Sequence, residues 1–168
     1  MTTKTYTFAA LPKTADELRA LPEADMKDPF AVAALAIAAL CAYPGDKKAA
    51  IEMLNALKGP SKLSPMDEQF IRDRFMDKDY VPRSYFKGAK PENNYRADEP
   101  FTIEVQEAVH SRDQEAEGYL TLYLQSGGAD SARPIKLRTK PSTGEWFLWE
   151  FSGILAGIRI PAAEDAWA

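Results

Sequence analysis

A chain of 168 residues and 18.7 kDa, 45% apolar and 27% charged with a formal charge of -4, has the profile of one ordinary soluble domain with a full core to bury. Aromatic residues at 11% exclude disorder, and 9 Gly and 12 Pro scattered without period exclude a collagenous or low-complexity chain. A lone cysteine, Cys41, and a lone histidine, His110, exclude an internal disulfide and a Cys/His zinc cage.

Residues 1–84 carry 12 basic and 12 acidic side chains, and residues 85–168 carry 9 and 13, so neither half is polybasic. With a sequence pI near 5.1, this argues against nucleic acid as the main partner. Met1 to Leu11 holds no apolar run of signal-peptide length, and a cytoplasmic location is the expectation. The uncharged stretch Pro29 to Gly45 is shorter than the roughly 20 residues that span a bilayer, so no membrane role is expected.

Taken in chain order, Thr14 and Glu17 stand at capping-box spacing before Leu18 and Leu21, which predicts a short helix over 15–21 that Pro22 stops. Asp28-Pro29 is a stronger start: the carboxylate accepts from free backbone N–H groups, and proline at the first helical position loses no hydrogen bond. The segment from Phe30 to Tyr43 is apolar on every face, and such a helix must be surrounded. Asp46 opens another helix, with Ile51, Met53, Leu54 and Leu57 on its apolar side until Gly59-Pro60 ends it. Ser64-Pro65 opens the next, with Asp67 in its first turn and Met66, Phe70, Ile71 and Phe75 expected along one side.

From about residue 101 the period becomes alternating. Phe101, Ile103 and Val105, then Leu120, Leu122 and Leu124, then Ile135, Leu137 and Thr139 interleave with polar neighbours, and Pro141 to Gly144 turns into Trp146 to Phe151. Tyr6 to Phe8 and Gly157 to Ile160 are candidate edge strands. The class is therefore α+β: three to four N-terminal helices (14–77) packed on a C-terminal antiparallel meander of at least four strands (101–160), as a single domain over 1–168. A cone-like sheet is one form of this layout, and in it the architecture resembles the nuclear transport factor 2-like fold.

A connection without period, 78–100, joins the two parts and is long for a compact domain. It holds Tyr80, Tyr85, Phe86 and Tyr95, and rings at that density gain stability by lying on the protein. One reading makes it a strap between helices and sheet. The other makes Arg83, Tyr85, Asn93, Asn94 and Tyr95 the lining of a groove for a partner peptide or small anionic ligand. The stretches Asp28-Pro-Phe-Ala-Val-Ala-Ala-Leu, Asp77-Lys-Asp-Tyr-Val-Pro-Arg-Ser-Tyr-Phe, Pro91-Glu-Asn-Asn-Tyr and Trp146-Phe-Leu-Trp resemble a bacterial family catalogued only as a domain of unknown function. The resemblance runs from about residue 26 to Trp167; it implies a self-contained domain and brings no activity, cofactor or catalytic residue with it.

Catalytic chemistry has little footing. His110 near Glu107 and Asp113 suggests a histidine-carboxylate base, yet a lone histidine at a strand end reads first as a surface residue. Cys41 sits in the most apolar helix, where a thiolate is disfavoured. Lys136, Arg138 and Lys140 share one side of their strand beside Trp146 and Trp149, a face on which cross-strand charge pairing with Glu145 and Glu150 is the plainer reading. No catalytic set, metal site or cofactor is implied. The expectation is a non-enzymatic interaction domain whose partner surface combines Tyr80, Arg83, Tyr85, Asn93, Asn94 and Tyr95 with Trp146 and Trp149. The alternative is a small-ligand receptor or enzyme with a helix-sheet pocket built from Tyr, Arg and carboxylate groups.

Overall fold

The computed structural model describes residues 1–168 and has an α+β architecture. Four helices, α1 (Ala15–Arg19), α2 (Pro29–Leu40), α3 (Lys47–Lys58) and α4 (Pro65–Phe75), accompany five strands, β1 (Thr3–Phe8), β2 (Phe101–Gln106), β3 (Tyr119–Leu124), β4 (Arg133–Lys140) and β5 (Glu145–Glu150). The strands lie in the order β1-β2-β3-β4-β5, each pair antiparallel, and form a curled half-barrel. The pairing of β2 with β3 is confined to Gln106 and Tyr123. Tyr6 to Phe8 belongs to the edge strand β1, whereas Gly157 to Ile160 forms no strand: Gly157 takes φ 71 and turns the chain away.

The Asp28 carboxylate starts α2 and ties it to the sheet. Oδ1 accepts from Phe30 N at 2.9 Å, while Oδ2 accepts from Lys4 Nζ at 2.7 Å and Tyr6 OH at 3.2 Å, both on β1. Every residue from Val32 to Leu40 is 0% exposed. Each such leucine or isoleucine contributes about 1.5–3 kcal/mol by leaving water, and the intervening alanines let neighbouring elements approach. One hydrophobic cluster runs from α2 through Met53, Leu54 and Leu57 of α3 to Leu120, Leu122, Ile135, Leu137 and Leu148 of the sheet.

Ser64 and Asp67 form the capping box of α4, with Ile71 and Phe75 buried. Met66, expected beside them, is 81% exposed. It lies five residues before Ile71, about 140° round the helix at 100° per residue, and so falls off the buried stripe.

Candidate functional site

The connection 78–100 is a strap. Two short turns of 3₁₀ helix, Pro82–Tyr85 and Pro91–Asn93, shape it, and its rings point inward. Tyr80 and Tyr85 are each 4% exposed and Tyr95 is 0% exposed, so none of the three offers a ring face to a partner. Tyr85 OH donates to Ile154 O at 2.5 Å and Tyr95 OH to Arg159 O at 2.6 Å, which fastens the strap to the chain after β5. Burial pushes both hydroxyls well above the usual tyrosine range. Asn93 is also committed internally: its side-chain oxygen accepts from Lys90 N and Arg96 N, and its amide donates to Gly88 O and Arg96 O.

What the strap leaves open is polar. Half-buried Arg83 and exposed Asn94 line a cleft of about 610 Å³ with Asn93, Arg96, Glu99 and Phe101. Arg83 Nη2 donates to Asn94 O at 3.2 Å, a carbonyl presented by an Asn94 in the left-handed region at φ 57. The guanidinium makes no ion pair. Arg83, Asn93, Asn94 and Tyr95 are thus brought together at this cleft, with the Arg83 guanidinium and the Asn94 side chain as the polar groups not spent on holding the strap.

Glu99 and Phe101 also wall a second cleft of about 600 Å³, made by Ala9 to Lys13 after β1 and by Cys41, Ala42, Gly45 and Asp46 after α2. The two clefts adjoin along Glu99 and Phe101, one mostly apolar and the other mostly polar, and together are termed the groove. Desolvation pushes the Cys41 thiol up to about 12, opposed by the positive charge of Arg83, so the thiolate is suppressed at neutral pH. The segment Ala9 to Lys13 was not legible as a site: its small apolar residues have no period, and only the turn that follows α2 brings them opposite Cys41.

The two indoles do not join this groove. Trp146 packs on the core, and its backbone N–H donates to Met26 O at 2.7 Å near the start of α2. Trp149 lies on the opposite face of β5, with the Arg138 guanidinium 4.6 Å from its ring centre and Tyr119 at 5.8 Å. The basic side of β4 therefore meets Trp149 and not Trp146, because residues three apart on a strand project to opposite faces. Loop and hairpin consequently present separate surfaces.

His110 Nδ1 lies 3.0 Å from Asp113 Oδ2 on an exposed turn, remote from the groove lining. No three His, Cys, Asp or Glu side chains converge as a metal centre requires, and no helix is long and apolar enough to cross a membrane. Neither the curated proteins nor the solved structures contain a match to the chain. Residues 10–162 match the family model described as Domain of unknown function (DUF6935), and the chain belongs to that family.

Proposed function

We propose that the domain is a non-enzymatic binding module whose groove seats an extended, carboxylate-bearing peptide segment of a partner protein. The observation that carries this reading is Arg83: a half-buried guanidinium, fixed by the Asn94 carbonyl, without a counter-ion, beside an apolar cleft. Held donors of this kind recognise carboxylates through charge-assisted, two-pronged hydrogen bonds. The apolar half, Leu11 with Ala42 and Phe101, suits a neighbouring aliphatic side chain. A thiol held protonated and a histidine paired on a remote turn favour binding over catalysis. The single free thiol also suits a reducing, cytoplasmic setting.

Selection of displayed random peptides against the wild-type domain tests the reading. Enriched sequences carry an acidic residue or free carboxyl terminus next to an aliphatic one, and Arg83→Ala weakens them by about tenfold or more, the scale of a charge-assisted hydrogen bond. Absence of enrichment, or equal binding to Arg83→Ala, overturns it. Capture of a small carboxylic acid with the same Arg83 dependence, and no peptide, transfers the groove to a small-ligand receptor.

A further inference from the structure

A second site, unrelated to the peptide groove, lies where α3 ends against β4 and β5. Lys58, Arg138, Lys140, Phe147 and Trp149 surround a pocket of about 340 Å³. Lys58 is 7% exposed, and its ammonium donates to Trp149 O at 3.1 Å, leaving two N–H donors unused. None of the three cations has a carboxylate within ion-pair distance. Glu145 faces Lys140 in the β4–β5 register without pairing with it, and Asp67 acts on Lys58 only through its more distant charge. Burying an ammonium without a counter-ion is costly, the Trp149 ring 5.9 Å from it supplies no full charge, and two more cations line the same space.

The geometry is held from both sides. Gly59 takes φ 61, and a Cβ there would lie 2.4 Å from the Phe147 ring, so the chain can leave α3 at this angle only with glycine. The Arg138 guanidinium rests against the neighbouring rings of Trp149 at 4.6 Å and Tyr119 at 5.5 Å, cation–π contacts that restrain it at the pocket.

We propose that this pocket binds a phosphoryl group, with Lys58 and Arg138 on its oxygens and Lys140 at the rim. The group is either free phosphate or the phosphate of a nucleotide, whose base would extend along Phe147 and Trp149. Calorimetric titration and thermal unfolding at matched ionic strength test this, using sodium phosphate, a nucleoside monophosphate and sodium chloride as probes. Phosphate raises the melting temperature of the wild type above the chloride control. Lys58→Met and Arg138→Gln each weaken phosphate binding at least tenfold, while Lys58→Met alone melts no lower than the wild type, because it removes a buried uncompensated charge. Tighter binding of the monophosphate than of phosphate by tenfold assigns the site to nucleotides, and equal binding assigns it to phosphate. No stabilisation beyond chloride, or an undiminished response in Lys58→Met, overturns the site. A fall in Lys58→Met stability with phosphate binding unchanged makes Lys58 a cap on the Trp149 carbonyl instead.

Discussion

The rings of Tyr80 and Tyr95 stack 5.2 Å apart at 10° inside the strap, yet only Tyr95 has a partner for its hydroxyl, the carbonyl of Arg159. The Tyr80 oxygen is buried with none. Tyr95→Phe and Tyr85→Phe are each expected to cost about 1 kcal/mol in urea denaturation, whereas Tyr80→Phe is neutral or stabilising. A loss at Tyr80→Phe equal to that at Tyr95→Phe would show that the strap is held in another way.

The Tyr95 hydroxyl also limits Gly128. A Cβ on Gly128 would lie 2.1 Å from that oxygen and 2.8 Å from Ile158 Cγ2. Gly128→Ala is therefore expected to destabilise by about 1–3 kcal/mol through overpacking. In a Tyr95→Phe background the penalty shrinks, and a double-mutant cycle reads the difference.

Alkaline stability follows from the tyrosines. Desolvation raises Tyr6, Tyr43, Tyr80 and Tyr85 above the ordinary value of 10, and takes Tyr95 to about 12, aided there by the neighbouring Tyr80. Above pH 10 the unfolded chain releases these protons before the folded one does, so the folded state binds more protons and stability falls. The contribution is whole below pH 10 and is lost between 10 and 12 for Tyr95. Spectrophotometric titration of tyrosinate should show these groups ionising together with unfolding; their titration near 10 in a folded chain would contradict the burial.

α2 is the hub of the core. Ala36→Leu is expected to destabilise by about 1–3 kcal/mol or more, since a side chain at 0% exposure has no room to grow. Asp28→Ala removes the cap of α2, at a cost of about 1–2 kcal/mol. Far-ultraviolet dichroism and tryptophan fluorescence should report one coincident transition; two would mean that helices and sheet unfold separately.

Much of this architecture is legible from residue patterns. Asp28-Pro29, the Ser64/Asp67 box and the alternating leucines of β3 carry local signals that tertiary packing leaves intact. The strap is different. A segment without period does not say which side of a ring faces inward, so Tyr85 and Tyr95 are chemically equivalent to partner-binding residues until their hydroxyl partners are known. Two features were present and easily missed. Strand parity already separates Trp146 from Trp149, and Lys58 follows Leu54 by four residues, on the stripe that α3 buries. The Arg83 groove is not local at all, since it joins the segments that follow β1 and α2 to the strap and the start of β2, which lie far apart in the chain.

The most direct measurement is a double-mutant cycle between Arg83→Gln and the acidic residue of a selected peptide changed to its amide. A peptide carboxylate seated on the guanidinium gives a coupling energy of about 1.5–3 kcal/mol, the range for hydrogen bonds to charged groups. Strictly additive losses would mean that Arg83 and the carboxylate never meet, and the groove would lose its assigned ligand.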